Sequence, residues 1–126
     1  MPKFGKRSKG NMQGVDSKLQ NLFNEVVKKF DCTVTEGLRS QERQNELVAQ
    51  GKSKTKFGKH VDGKAMDVYP YPVDFKDRDR FHYFGGYVKG IAESMDIRVR
   101  WGGDWDGDFE TKDNKFDDLC HFELRN

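Results

Sequence analysis

The sequence lacks any apolar run long enough to cross a membrane, and its first ten residues are basic without the apolar segment of a secretory signal. We therefore expect no stable membrane association and no export signal. It has only two cysteines, Cys32 and Cys120, and these are expected to be free thiols in a chain made in the cytosol. No internal repeat or low-complexity linker divides the chain, so 1–126 is predicted to be a single domain.

Charge is nearly balanced overall but unevenly distributed along the chain. The formal net charge is +2, with lysine and arginine crowded into the N-terminal half and aspartate dense from Asp104 to Asp118. A basic surface attracts acidic polymers, which include nucleic acid and anionic cell wall, and the modest pI favours neither. Ten phenylalanines, four tyrosines and two tryptophans supply enough apolar bulk for a modest core.

The apolar pattern predicts an α+β domain with a mainly antiparallel sheet flanked by helices. After Asp16, apolar residues recur every three or four positions, which indicates an amphipathic helix from about Asp16 to Phe30. The other predicted elements, in order, are an ordered or frayed polar arm at 3–11, a strand at 32–35, a helix at 40–50, a strand at 65–68, a helix at 81–95, a strand at 97–101, an acidic loop at 102–117 and a strand at 121–124.

Two histidines and one aspartate form a candidate metal site. His60 and Asp67 lie in one short run, and His121 is near the C-terminus. Two imidazoles and a carboxylate suit zinc and leave its fourth position open, as in catalytic rather than structural sites. In a strand at 65–68, Asp67 would face the site while its two neighbours face the core. Because His121 is remote in sequence, spacing alone leaves open whether a metal binds.

Three further polar residues have both a functional and a structural interpretation. Asp118 suits a general base if it lies in the turn before the final strand, and otherwise caps that turn. Arg39 could stabilise an oxyanion, or form a surface ion pair with Glu36 or Glu42. His82, in an aromatic helix, is expected to pack rather than bind metal.

Four motifs carry a resemblance to a known family. They are Glu36-Gly-Leu-Arg39-Ser-Gln-Glu-Arg43-Gln44, His60-Val-Asp-Gly63-Lys-Ala65-Met-Asp67, Trp101-Gly-Gly-Asp104-Trp105 and Asp118-Leu-Cys-His121-Phe-Glu123-Leu. On these motifs the chain resembles the M15 peptidases, and most closely the single-domain L-alanyl-D-glutamate endopeptidases that phages use as endolysins. The resemblance covers nearly the whole chain and implies a fold like that of Hedgehog and the D,D-peptidases.

The resemblance also implies roles for single residues. It implies that His60, Asp67 and His121 bind zinc, that Asp118 is the catalytic base and that Arg39 contacts and polarises the substrate. Two departures from the family are visible. Gly58 stands where much of the family has serine, and Asp118 stands where many members outside the phage branch have glutamate, one methylene longer.

The implied function is zinc-dependent cleavage of the L-alanyl-D-glutamate bond of peptidoglycan stem peptides, causing lysis. The partner would be peptidoglycan, not nucleic acid, and the chain is expected to be a monomer without a separate cell-wall-binding domain. It would stay in the host cytoplasm until a holin-type factor opens the membrane. Two alternatives stay open: a D,D-carboxypeptidase or dipeptidase of the same family, and a non-catalytic zinc-containing module that binds cell wall.

Alternating acidic residues in the 102–117 loop suggest a second cation. Similar phage peptidases imply that calcium can order this loop, and Gly107 would allow the required bend. The alternative is a solvated acidic loop, because the full helix-loop-helix calcium pattern is absent from the sequence. The candidate calcium ligands are Asp104, Asp106, Asp108, Glu110 and Asp113.

Overall fold

The computed structural model describes residues 2–52, 58–112 and 117–125, which form four helices and one four-stranded sheet. The elements are α1 (Lys6–Met12), α2 (Ser17–Val27), β1 (Cys32–Glu36), α3 (Gln41–Ala49), β2 (Ala65–Pro70), α4 (Arg78–Ser94), β3 (Val99–Gly102) and β4 (Asp118–Leu124). The strand order is β1-β2-β4-β3, and every pairing is antiparallel. The predicted α+β class and antiparallel sheet are confirmed.

The core lies where α2 and α4 meet one face of the sheet. Phe122 of β4 is fully buried and meets the rings of Phe23 from α2 and Phe84 from α4, with centroids 5.3 Å and 5.9 Å away. Met66 and Val68 of β2 are also fully buried in this core. Because side chains alternate along a strand, Asp67 between them points to the other face, where the candidate metal site was predicted.

Gly85 lets α4 approach the sheet closely. A Cβ at this position would lie 2.3 Å from two ring atoms of Trp101 in β3, whereas a Cβ at the next glycine, Gly86, would meet nothing within 4 Å. We expect Gly85→Ala to lower the free energy of unfolding by about 1–3 kcal/mol, because the core must shift to admit the methyl group. Gly86→Ala should raise it by about 0.5–1 kcal/mol through helix propensity alone. Urea unfolding of both variants measures the contrast, and equal effects would contradict this packing argument.

The N-terminal arm differs from its prediction, since residues Lys6–Met12 form a helix. Its polar sequence shows no apolar stripe, but its inner face makes specific bonds to β1. Val34 N–H donates to the buried Ser8 hydroxyl at 3.1 Å, and the Asn11 amide donates to the Val34 carbonyl at 2.9 Å. Tertiary hydrogen bonds, rather than intrinsic propensity, therefore stabilise α1.

The final strand begins at Asp118, three residues earlier than predicted, because Asp118 pairs with Gly102 of β3. The predicted starts of α2 and α3 are confirmed by their caps, whereas α4 begins at Arg78, three residues before its predicted start. Asp16 accepts from Lys18 N–H at the start of α2, and Ser40 accepts from Arg43 N–H at the start of α3. Within the described ranges, none of the helices combines the length and apolar character needed to span a membrane.

Candidate active site

The structure brings the three predicted metal ligands together on the face of the sheet opposite the core. Asp67 and His121 are direct partners across β2 and β4, and His60 lies in the turn that leads into β2. Asp67 Oδ1 is 3.1 Å from His60 Nε2 and 3.3 Å from His121 Nδ1. One donor atom from each residue lies within 4.8 Å of the other two, a separation that a single ion could bridge.

The outer nitrogen of each imidazole is held by an acceptor. His60 Nδ1 is 2.8 Å from the carbonyl oxygen of Gly37, and His121 Nε2 is 2.8 Å from Oε1 of Glu123. A carbonyl or a carboxylate can only accept, so these two outer nitrogens carry the protons. When a metal ion displaces the protons that face Asp67, the lone pairs of His60 Nε2 and His121 Nδ1 would be directed toward that ion, and this donor set fits zinc.

The charges in the cluster are strongly coupled. Burial opposes ionisation of Asp67, but hydrogen bonds from His121 and His60 outweigh it and hold the pKa of Asp67 well below its usual range. Burial would lower the pKa of His121, yet hydrogen bonds to Asp67 and Glu123 raise it to about 9. In the absence of a cation, His121 therefore keeps a proton at neutral pH and pairs with Asp67. A divalent ion must displace that proton to bind.

Arg39 lies beside the cluster, between β1 and α3, and is held from two sides. Its Nε and Nη2 each donate to the carboxylate of Glu36 at 2.8 Å, and Nη1 donates to the buried Gln44 side chain at 2.7 Å. Nη2 is also 4.0 Å from Oδ2 of Asp67, and the Arg39 side chain is only 10% exposed. The ion pair with Glu36 that the structural interpretation predicted is present, but it is buried at the site and not on the surface.

Asp118 is the first residue of β4 and does not lie in a turn before that strand, so the expected location was wrong. One step along β3, from Trp101 to Gly102, corresponds to four residues along β4, from Phe122 to Asp118. This irregularity breaks the strict alternation of side chains that had seemed to separate Asp118 from His121. Its Oδ1 accepts from the Cys120 thiol at 3.3 Å, and its negative charge contributes to the raised pKa of His121. Asp118 is not part of the group of three converging donors.

A cavity of about 160 Å³ opens beside Asp118. It is bounded by one end of β2, the start of α4 and the start of β4, and it is lined by Tyr69, Phe75, Arg78, Phe81, Asp117, Asp118, Leu119 and Cys120. Aromatic rings form much of one wall, while Arg78 donates to Asp117 at 2.7 Å on another. The cavity offers space for part of a ligand next to the candidate base.

Both cysteines are free and buried, as predicted. Burial, followed by the negative charge of Asp31, raises the pKa of Cys32. Burial, followed by the charges of Asp67 and Asp118, raises the pKa of Cys120. Neutral buried thiols are poor nucleophiles, so neither cysteine is suited to covalent catalysis. His82 packs as expected, with Nδ1 bonded to the Arg78 carbonyl at 2.8 Å and its ring edge-on to Trp101.

Part of the acidic loop forms a second cluster of carboxylates. Oxygens of Asp104, Asp106 and Asp108 lie within 4.8 Å of one another. Asp104 is buried and accepts from the backbone N–H of Asp108 at 3.2 Å and of Phe109 at 3.0 Å. Glu110 lies outside this group of three, with its backbone N–H bonded to Asp108. The remaining predicted ligand, residue 113, lies outside the described residues.

Several residues at the site stand in the quoted motifs but were given no role from the sequence. Glu123 holds His121, Gly37 holds His60, Gln44 holds Arg39, and the Trp105 ring lies 5.5 Å from the His121 ring. The sequence carried a signal for Glu123, because residues two apart in a strand share a face. The contacts of Gly37 with His60 and of Trp105 with His121 join residues distant in the chain, so no local pattern indicates them.

Comparisons with known proteins find a family model and solved structures that are similar to this chain. A family model described as phage L-alanyl-D-glutamate peptidase matches residues 1–125. A crystal structure of the Serratia marcescens L-Ala D-Glu endopeptidase ChiX is similar to this chain, with 31% sequence identity and a TM-score of 0.81. That match covers 98% of this chain and 90% of the ChiX chain. A structure of the LdcB LD-carboxypeptidase shares the fold, with 19% identity, a TM-score of 0.54 and coverage of 86% and 56%.

Proposed function

Since the chain belongs to the phage L-alanyl-D-glutamate peptidase family, we propose that it is a zinc-dependent endopeptidase that cleaves the L-alanyl-D-glutamate bond of peptidoglycan stem peptides. The observation that carries the proposal is the convergence of His60 Nε2, Asp67 Oδ1 and His121 Nδ1. The relative at 31% identity is itself an L-Ala D-Glu endopeptidase, which supports the same bond as the substrate here.

The zinc ion would be held by His60, Asp67 and His121. Zinc bound by such a set lowers the pKa of a water molecule and polarises the carbonyl that the water attacks. The hydrogen bonds of His60 to Gly37 and of His121 to Glu123 fix the two imidazoles before the ion arrives, so zinc binding requires little rearrangement of these side chains.

Asp118 would move the proton in this reaction. The Cys120 thiol bonds to its Oδ1 and orients the carboxylate, so we assign the proton transfer to Oδ2. Asp118 takes one proton from the attacking water and returns it to the leaving amine as the carbon–nitrogen bond breaks. The adjacent cavity would receive part of the peptide stem on that side.

Arg39 would stabilise the charge that develops on the carbonyl oxygen. The bonds to Glu36 and Gln44 fix its guanidinium, with Nη2 4.0 Å from Oδ2 of Asp67. A cation that is already in place stabilises a developing oxyanion without the cost of reorganisation. Its low exposure strengthens the interaction, because little water screens it.

The severed bond can be identified directly. Mass spectrometry of purified peptidoglycan after digestion should show stems with a newly freed D-glutamyl amine. Loss of a terminal D-alanine would instead indicate the carboxypeptidase alternative. Zinc binding without any cleavage would indicate a non-catalytic module.

From the phage family we further propose that the substrate is the host wall, reached from the cytoplasm when a holin-type factor opens the membrane.

Zinc affinity should rise with pH. In the zinc-free protein the pKa of His121 is raised to about 9, so below that pH a proton occupies a ligand and competes with the ion. With one proton displaced, the dissociation constant should fall by about tenfold per pH unit between about pH 7 and about pH 8.5. Competition with a chromophoric chelator measures it. An affinity that does not change over this range would contradict the proton competition.

Calcium binding by the acidic loop stays a prediction, with Asp104, Asp106 and Asp108 as ligands and Glu110 and Asp113 as candidates from the sequence. The three clustered carboxylates repel one another, and a divalent cation would relieve that repulsion. Because Trp105 in this loop contacts the His121 ring, calcium should change activity as well as the amide spectrum of the loop. Calcium titration followed by NMR and by cleavage rate tests this, and unchanged spectra would remove the idea.

A further inference from the structure

Glu123 is a buried carboxylate bonded to a candidate metal ligand. Its side chain is 7% exposed, and it follows His121 by two residues on the same face of β4. Oε1 accepts from His121 Nε2–H at 2.8 Å, and Oε2 accepts from Arg100 Nη2 at 2.9 Å. A carboxylate so withdrawn from water is stable only when it is paired, and both of its oxygens are paired here.

Building on the proposed zinc site, we propose that Glu123 is a positioning residue that makes His121 a zinc ligand through Nδ1, and that Arg100 holds Glu123 in place. A neutral imidazole carries one proton, and an ionised carboxylate can only accept it. Glu123 therefore keeps that proton on Nε2, so that Nδ1, 3.3 Å from Asp67 Oδ1, is the nitrogen left to bind an ion. The negative charge of Glu123 also makes the imidazole a stronger donor.

The two imidazoles of the site are held by acceptors of different charge. His60 donates to the neutral carbonyl of Gly37, whereas His121 donates to an ionised side chain. A backbone carbonyl is fixed by the fold, but a glutamate side chain can rotate. His121 therefore depends on a further partner that keeps its acceptor in place.

Arg100 supplies that partner from the neighbouring strand. It lies directly opposite Glu123 in the β3–β4 pairing, and its guanidinium is 5.4 Å from the ring centre of Trp105. Trp105 in turn contacts the His121 ring at 5.5 Å. Arg100, Glu123, His121 and Trp105 thus form a closed set of contacts around one imidazole. A simple cross-strand ion pair, useful only for stability, is the competing explanation.

Zinc affinity separates the two explanations. We expect Glu123→Ala to weaken zinc binding by about 10–100-fold in a chelator competition assay. Glu123→Gln keeps an oxygen acceptor without its charge and should recover part of that loss. Arg100→Met, which removes the cation but leaves Glu123, should weaken zinc binding less than Glu123→Ala does. Nitrogen NMR of the zinc-loaded protein should place the His121 proton on Nε2 in the wild type.

Val26→Ala is the matched control for stability. The Val26 side chain is fully buried in the core, on the face of the sheet opposite the site, so its truncation should lower the unfolding midpoint without touching His121. Its zinc affinity should equal that of the wild type. If Glu123→Ala does not fold, Glu123→Gln provides the measurement.

The outcomes distinguish this inference from the proposed function. If the zinc affinity of the Glu123 variants is within about twofold of that of the wild type, the positioning role is overturned, because a partner of this kind should contribute much more. The proposed function is not affected by that result. A His121 proton on Nδ1 in the zinc-loaded wild type also overturns the positioning role. A wild type that binds zinc but leaves peptidoglycan intact overturns the proposed function and leaves the positioning role standing. A wild type that binds no zinc overturns both.

Discussion

Replacing Asp118 by asparagine should lower the rate of peptidoglycan cleavage by about 10²–10⁴-fold, the contribution typical of a general base. The amide is nearly the same size as the carboxylate but cannot take a proton from water. Zinc affinity should change little, because Asp118 is not among the three converging donors. The expected pattern is therefore a loss of turnover in a protein that still binds its metal, measured by release of stem peptides and by chelator competition.

Asp117→Asn is the matched control for this prediction. Asp117 is the preceding residue and pairs with Arg78 at 2.7 Å across the cavity. The substitution removes the same charge from the same segment, so a purely electrostatic effect would appear in both variants. Full activity of Asp118→Asn would exclude the assigned base. Equal losses in the two variants would assign the effect to the negative charge of the segment and not to proton transfer.

Replacing Asp67 by asparagine should weaken zinc binding by more than about 100-fold, because even partners outside the ligand set cost 10–100-fold. Asp67 is the one anionic donor among the three, and its Oδ1 faces both imidazoles at 3.1 Å and 3.3 Å. A neutral amide oxygen is a poor zinc ligand. Cleavage should fall with zinc occupancy and return only in part at high zinc concentration.

Asp62→Asn provides the comparison for Asp67. Asp62 lies between His60 and Asp67 in the chain but is exposed in the turn, so the substitution changes net charge equally without touching the donors. Its zinc affinity should match that of the wild type. Since the Asp67 side chain is only 16% exposed, the unfolding midpoint of each variant must be measured as well. Tight zinc binding by Asp67→Asn would remove Asp67 from the ligand set.

The fold was predictable where a helix or strand has its own apolar pattern. The stripe that starts at Leu19 predicts α2, and Asp16 caps it as expected. The helix α1 was not predictable in this way, because its polar sequence becomes helical through bonds that Ser8 and Asn11 make to a strand more than twenty residues away. Such contacts do not appear in a local pattern of apolar residues.

The candidate site shows the same division. The types of donor and the face of β2 that carries Asp67 follow from sequence, because ligand chemistry and strand alternation are local rules. The hydrogen bonds of Arg39 to Glu36 and Gln44 depend on the path of the short loop between β1 and α3, which no local rule supplies. The location of Asp118 within a strand also depends on its pairing with Gly102, so the sequence placed it wrongly in a turn.

Gly37 contacts both α1 and a residue of the candidate metal site. Its carbonyl bonds to His60 at 2.8 Å, and a Cβ on this residue would lie 2.1 Å from the backbone oxygen of Asn11 at the end of α1. The backbone of α1 therefore packs directly against the peptide group whose carbonyl orients the His60 imidazole. A targeting module fused before Lys6 should therefore leave α1 packed against Gly37. A fusion that displaces α1 should weaken binding at the proposed zinc site, even though the junction is more than fifty residues from His60 in the chain.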